Sequence, residues 1–245
     1  MGKLTDAIKH LIILNVIFFA ASSFLGLNIG NWLALYFPQN DHFGFWQFVT
    51  HMFMHGGFMH ILFNMYALWA FGSPLEQMWG RNKFLFFYFS AGIGAGLIYT
   101  AVNYFQFNSI YNDLIGVGLQ PGDIQNLLES GRYNSGILDQ VPEKKLSDIY
   151  QIYNTPAVGA SGAIYGVLVA FGMSFPNAKL ALIFLPVPIA AKYFIPVLIG
   201  LDLFSGVTGF SIFGGGIAHF AHVGGAIIGF IMMKYWEKNQ FKRWN

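Results

Sequence analysis

The sequence predicts an all-α polytopic membrane protein built as a bundle of six transmembrane helices. Of its 245 residues, 55% are hydrophobic and only 10% are charged, and the mean hydropathy is +0.51. A soluble domain of this size carries about a quarter charged residues. The charges also cluster between long apolar runs. Most of the surface of this chain must therefore face lipid.

Six segments are apolar and long enough to be spans, since a span needs roughly 20 residues. We place them at about 8–27, 48–71, 84–104, 157–175, 190–207 and 215–235. The whole chain, 1–245, is then a single membrane domain. The remaining long segment, 105–156, is an insert that is expected to lie outside the membrane on the extracytoplasmic side.

Two connecting segments carry patterns of their own. Within the insert, the run 123–130 followed by Gly131 predicts a short capped helix. Two prolines interrupt the apolar segment 179–189. That segment is therefore expected to be an interfacial stretch leading into the fifth span.

Lysine and arginine give the orientation of the bundle. Outside the insert they lie at alternate ends of the spans: Lys3, Lys9, Arg81, Lys83, Lys179, Lys192, Lys234, Lys238, Lys242 and Arg243. The insert is the exception, with Arg132, Lys144 and Lys145, but long loops cross a membrane regardless of their charge. The loop 28–46 after span one contains no lysine or arginine, and neither does the loop after span five. The positive-inside rule thus predicts both termini in the cytoplasm. The composition, without long soluble domains, favours a bacterial plasma membrane, with the membrane of an organelle as the alternative.

Composition also excludes several kinds of chemistry. The chain has no cysteine, which rules out disulfides, thiol catalysis and thiolate metal sites. Its net charge of +2 gives no reason to expect a nucleic-acid partner. No motif predicts a cofactor or a metal site. Oligomeric state cannot be read from the sequence.

Polar groups inside the spans are the functional candidates, because they are expensive in a bilayer. They are His51, His55, His60, Asn64, Ser161, His219 and His222. With spans two, four and six entering from the outside, all of these groups lie in the outer half of the membrane. Asp202, near the outer end of span five, is expected to be solvated.

Glycine spacing predicts that spans four and six pack closely. Gly162 and Gly166 form one G-x-x-x-G motif, and Gly225 and Gly229 form another. Small residues at this spacing let two helix backbones approach each other. A serine and a histidine on such helices could then come within the 2.6–3.2 Å that nucleophile activation needs.

Four short motifs, in order along the chain, resemble those of the rhomboid family of intramembrane serine proteases. They are His55-x4-His60-x3-Asn64, Glu76-x2-Trp79-Gly80-Arg81, Gly159-Ala160-Ser161-Gly162-Ala163 and Ala221-His222-Val223-Gly224-Gly225. The resemblance covers spans two to six. The insert is longer than a minimal rhomboid would have, and span one matches only in character.

The resemblance implies a rhomboid-like fold and a serine endopeptidase that cleaves transmembrane segments of other membrane proteins within the lipid bilayer. Ser161 would be the nucleophile and His222 its general base. This would be a catalytic dyad without a third acid, and no Asp or Glu lies inside spans four or six. The substrate would enter sideways between spans two and five.

The same resemblance implies roles for the residues around the dyad. The side chains of His60 and Asn64, with the backbone N–H of Ser161, would form the oxyanion hole. Gly159 would let the backbone approach the substrate carbonyl, and the ring of Tyr165 would pack against the histidine base.

Two alternatives remain open from the sequence. A catalytically inactive rhomboid-like protein that binds membrane clients would usually lack the serine or the histidine, and this chain has both. A transporter with a buried histidine relay would need access from both sides, whereas the polar groups here lie near one side. A zinc protease would need His-Glu-x-x-His, which is absent.

Overall fold

The computed structural model describes residues 3–24, 28–182, 185–210 and 218–240. Its helices are α1 (Asp6–Phe24), α2 (Gly30–Leu33), α3 (Gln47–Thr50), α4 (Phe58–Ala67), α5 (Ser73–Trp79), α6 (Arg81–Gly116), α7 (Pro121–Ser130), α8 (Glu143–Asn154), α9 (Ser161–Ser174), α10 (Ala191–Thr208) and α11 (His219–Gln240). The two strands are β1 (Lys179–Leu182) and β2 (Leu185–Ala190).

The predicted helical bundle is present in the part of the chain that the structure describes. Among the described residues, three helices are by themselves long and apolar enough to cross a membrane: α1, α6 and α10. A short apolar helix, α9, packs at the centre against α6 and α11. A π-helical turn at Leu68–Gly72 joins α4 to α5, which makes one continuous helical segment. The core lies where these helices meet around buried Phe84, Phe87 and Tyr88.

The second apolar segment begins later than predicted. We placed it at 48–71, but the helix runs from Phe58 to Trp79. Residues 47–53 form α3 and a separate 3-10 turn, and Gly56 and Gly57 separate this turn from α4. Hydropathy could not detect this break, because residues on both sides of it are apolar. The predicted end of span one at 27 and start of span six at 215 lie outside the described residues.

The insert forms a second apolar core beyond one end of the bundle. α6 has 36 residues and is therefore ~54 Å long, whereas a bilayer core is about 30 Å thick. Its C-terminal part packs with α7 and α8 around Leu114, Ile124 and Ile149, which are fully buried. We call this unit the cap, and the adjacent end of the bundle the cap end. The predicted capped helix is confirmed as α7, which ends at Gly131 with a left-handed φ of +69°.

Hydrogen bonds tie the loop 28–46 to the segments on either side of it. The buried side chain of Gln47 accepts a hydrogen bond from the N–H of Tyr36 and donates to the carbonyl of His42. Leu35 and Ala157 exchange backbone hydrogen bonds of 2.9 Å. These contacts fix the chain just before α9, which is where the site begins.

At the opposite end of the bundle, α9 is joined to α10 by an antiparallel hairpin. Strands β1 and β2 pair Lys179 with Ala190 and Leu180 with Ile189. The interfacial stretch expected here therefore takes a regular form. At the same end, the carboxylate of Glu76 holds the start of α1. It accepts hydrogen bonds from the N–H groups of Ala7 and Ile8 at 2.8 and 3.1 Å. These are N–H groups of the first helical turn, which have no acceptor within the helix.

The two glycine motifs bring α9 and α11 into direct backbone contact, as their spacing predicts. A Cβ placed on Gly225 would lie 1.8 Å from the carbonyl oxygen of Gly162. A Cβ on Gly229 would lie 2.7 Å from the Cα of Gly166. Side chains of α9 and α11 that lie between these contacts and the cap end are therefore close to one another.

Candidate active site

Ser161 is part-buried and lies at the start of the short helix α9. The helix has 14 residues, or ~21 Å, so it does not reach across a bilayer core of about 30 Å. Ser161 is its first residue, whereas we expected the span to begin about four residues earlier. The backbone N–H of a first-turn residue has no acceptor within the helix. This N–H is therefore available to an anion formed at the serine.

His222 lies next to Ser161, on α11. Its Nε2 is 2.8 Å from the Oγ of Ser161, and both side chains are part-buried. The helix begins at His219, so His222 is one turn from its start rather than seven residues in, as we had expected. The ring of Tyr165 stacks on the His222 ring, with centroids 4.2 Å apart and planes inclined by 10°. Oγ can pass its proton to Nε2 in this geometry.

The loop before α9 brings His60 to the same place. A Cβ on Gly159 would lie 2.8 Å from the Nε2 of His60 and 3.6 Å from the Oγ of Ser161. Gly159 has a φ of +120°, which favours glycine. Its N–H donates to the carbonyl of His51 at 2.9 Å. Only glycine thus combines this backbone shape with this close approach.

His60 is oriented as a donor towards this loop. Its Nδ1 accepts a hydrogen bond from the N–H of Gly56 at 3.4 Å. In a neutral imidazole the other nitrogen then carries the proton. Nε2–H of His60 therefore faces Gly159 and the serine. The ring of His55 packs edge-on against it, with centroids 5.0 Å apart.

Asn64 lies one turn further along α4 and is buried. Its Nδ2 donates one hydrogen bond to the carbonyl of His60 at 2.8 Å. The second N–H of the amide is not used in that bond. Its Oδ1 has no hydrogen-bond partner among the described residues. Asn64 thus anchors the backbone of His60, and its second amide N–H remains able to donate a hydrogen bond.

Asp202 is not solvated, contrary to our expectation. It lies on α10, is 1% exposed, and faces the two histidines of α11. Its Oδ1 is 2.6 Å from the Nδ1 of His219 and 3.1 Å from the Nδ1 of His222. Tyr165 donates its hydroxyl proton to Oδ2. The expectation was wrong because it placed Asp202 by its distance from the end of the span, whereas the side chain faces the bundle interior.

Sequence reasoning missed the partnership of Asp202 with His219 and His222. No local spacing joins them, because 17 residues separate Asp202 from His219. One signal was present: an acid within an apolar helix is a functional candidate by default.

These three residues could in principle hold a metal ion, since their ligand atoms lie within 4.8 Å of one another. Two ligands of tetrahedral zinc are about 3.3 Å apart, given bonds of roughly 2.0–2.1 Å. The 2.6 Å between Asp202 and His219 is shorter and is typical of a charge-assisted hydrogen bond. In addition, the Nε2 of His222 faces Ser161. The arrangement therefore fits a hydrogen-bonded network better than a metal site.

Fold and site together define a polytopic membrane helical bundle with a part-buried serine–histidine pair near one end. The rhomboid domain matches residues 42–118 and 135–238, which is most of the chain. The chain belongs to the rhomboid family, and the predicted fold class, an all-α membrane bundle, is confirmed; β structure in the described residues is limited to the short hairpin and one isolated bridge.

Three relatives illustrate the range of similar proteins. The human mitochondrial presenilin-associated rhomboid-like protein is 29% identical over 184 residues, covering 75% of this chain and 36% of the relative. The mitochondrial Rhomboid protein 1 of Saccharomyces cerevisiae is 26% identical, covering 76% and 40%. The rhomboid protease AarA of Providencia stuartii is 27% identical, covering 75% and 53%. The chain thus matches about a third to a half of the length of these relatives.

Proposed function

We propose that the chain is an intramembrane serine endopeptidase that cleaves transmembrane segments of other membrane proteins. One observation carries the proposal: the Nε2 of His222 lies 2.8 Å from the Oγ of Ser161, with the two residues on different helices. A histidine at this distance is what a serine needs to become a nucleophile. A packing serine on a membrane helix has no such requirement.

In the proposed reaction, His222 takes the proton of Ser161 as Oγ attacks the scissile carbonyl. The resulting oxyanion needs fixed donors. We assign this role to three donors: the first-turn N–H of Ser161, the Nε2–H of His60 and the second N–H of Asn64. His222 then donates its proton to the leaving amine, and water releases the acyl group by the reverse sequence. Tyr165 holds the imidazole plane by stacking.

Access follows from the position of the serine–histidine pair near the cap end. Water can reach Ser161 and His222 because both are only part-buried and lie near the start of their helices. A helical substrate must unwind locally, because its carbonyls are hydrogen-bonded within the helix. We propose that it enters between α4 and α10, which both present exposed apolar side chains such as Phe58 and Val197.

The partners are then transmembrane protein substrates and the lipid bilayer itself. We further propose that both termini are cytoplasmic and that the cap lies outside, since lysine and arginine avoid the loops at the cap end except within the cap. A bacterial plasma membrane remains our proposal for the location.

The proposal is tested with purified protein in proteoliposomes that contain a single-span reporter. The transmembrane segment of the reporter carries small and helix-breaking residues near its outer end. We expect cleavage inside or at the edge of that segment, mapped by mass spectrometry, and no effect of chelators. Reporter binding without cleavage would instead favour a client-binding relative. Proton-coupled flux without cleavage would favour a transporter.

Asn64→Ala is expected to reduce kcat by about 10²–10³-fold with little change in KM, because one oxyanion donor is lost. Thermal unfolding should change little in comparison. Asn108→Ala is the matched control, since Asn108 makes the same type of i–4 backbone hydrogen bond on the exposed surface of α6. Equal kcat for Asn64→Ala and wild type would mean that Asn64 only anchors the helix.

A further inference from the structure

Asp202 is a deeply buried acid beside the site, and the three groups among the described residues that form hydrogen bonds with its carboxylate can all act as donors. Two donors come from α11 and one from α9. A carboxylate in a membrane bundle is expensive unless it is paired and hydrogen-bonded. Three donors from two neighbouring helices meet this requirement.

The contacts of Asp202 also determine which nitrogen of His222 carries the proton. An ionised carboxylate can only accept hydrogen bonds. The Nδ1 of His222, 3.1 Å from Oδ1, therefore holds a hydrogen. The Nε2 of the neutral ring is then an acceptor, and it is this atom that faces the Oγ of Ser161. The carboxylate thus selects the tautomer that a general base requires.

We infer that Asp202 is a positioning residue that completes a chain Ser161–His222–Asp202, with the acid supplied by α10. The inference rests on the proposed function. As Oγ bonds to the scissile carbon, its proton moves to Nε2, while the Nδ1 proton stays on the ring. The imidazolium then lies beside an ionised carboxylate, which stabilises it. Nε2 later protonates the leaving nitrogen as the C–N bond breaks.

Two further side chains hold the carboxylate in place. His219 donates to the same Oδ1 as His222, at 2.6 Å. Tyr165 donates to Oδ2 and also stacks on the His222 ring. Base and acid are therefore fixed relative to each other by one shared residue. An acid that only tied α10 to the neighbouring helices would not need a residue such as Tyr165, which contacts both the carboxylate and the ring of His222.

The test compares Asp202→Asn with Ser205→Ala. The asparagine amide keeps one acceptor oxygen. In either orientation, however, its NH2 group would face a hydrogen-bond donor, either the Tyr165 hydroxyl or the two histidines. Ser205 lies one turn away on α10, equally buried, and its hydroxyl has no hydrogen-bond partner among the described residues. We expect Asp202→Asn to lower kcat by about 10²-fold or more with KM unchanged. Ser205→Ala should retain wild-type values.

Reaction of Ser161 with a fluorophosphonate separates this inference from the proposed function, because it needs the nucleophile and its base but no protein substrate. Wild type should react, and Asp202→Asn should react at least about 10²-fold more slowly. If Asp202→Asn reacts at the wild-type rate, the inference is wrong while the proposed function stands. If the wild-type protein does not react, both are wrong.

A second, milder variant tests the inference even if Asp202→Asn does not fold. Tyr165→Phe keeps the stacked ring and removes only the hydroxyl that binds Asp202. A single lost hydrogen bond to a charged group should slow both cleavage and fluorophosphonate reaction by about tenfold. Wild-type rates in Tyr165→Phe, together with an Asp202→Asn loss that matches its fall in melting temperature, would show that Asp202 is only structural.

Discussion

Ser161→Ala and His222→Ala are each expected to lower cleavage by at least about 10⁴-fold while leaving the bundle folded. The reason is that nucleophile and base act as a unit. Without Oγ there is nothing to attack the carbonyl, and without Nε2 the hydroxyl keeps its proton. Both side chains are only part-buried, so their truncation removes little of the core.

The double variant provides the sharper measurement. Substitutions of residues that act as a unit do not have additive effects on the rate. The double variant Ser161→Ala/His222→Ala should therefore be no less active than the less active of the two single variants. Initial cleavage rates in proteoliposomes would be compared with melting temperatures of the same preparations. Ser174→Ala, at the far end of α9, is the control and should behave as wild type. Wild-type cleavage by either single variant would end the assignment of this pair.

Much of this site could be predicted because its parts are local in sequence. Ser161 lies between two glycines that its backbone contacts require. His60 and Asn64 are four residues apart and share a helix face. The G-x-x-x-G spacing on α9 and α11 predicts their backbone contact, which in turn brings serine and histidine together. The shared helix face and the close helix packing need only helical periodicity and the sizes of side chains, whereas the roles of these residues came from the resemblance to the rhomboid family.

Asp202 shows where such reasoning fails. Its partners come from α9 and α11, and helix rotation decides whether it faces lipid, water or the interior. The sequence of α10 does not determine that rotation, because within one turn of Asp202 apolar residues lie on the other faces of the helix and only Ser205 shares its polar character. The start of α4 was misplaced for a similar reason: two glycines interrupt an apolar run without changing its mean hydropathy. Both features depend on tertiary packing that a window of residues does not contain.

Gly225→Ala is expected to reduce cleavage by more than about 10²-fold, although the residue itself does no chemistry. The new Cβ would lie 1.8 Å from the carbonyl oxygen of Gly162 and 2.7 Å from its carbonyl carbon. These are backbone atoms, so no side chain can rotate away. α11 must therefore move by more than 1 Å, and His222 lies only one turn away. A misplacement of about 1 Å can cost 10²-fold in rate.

Gly200→Ala separates this effect from a general response to replacing a helical glycine. A Cβ on Gly200 would have nothing within 4 Å, so this variant should keep wild-type activity. Gly225→Ala should also lose about 1–3 kcal/mol of stability through overpacking. Cleavage rate, fluorophosphonate reactivity and melting temperature would be measured for both. Because the clash acts on the serine–histidine distance, reactivity with fluorophosphonate should fall together with cleavage. Wild-type reactivity in Gly225→Ala would mean that the bundle can shift without disturbing the pair.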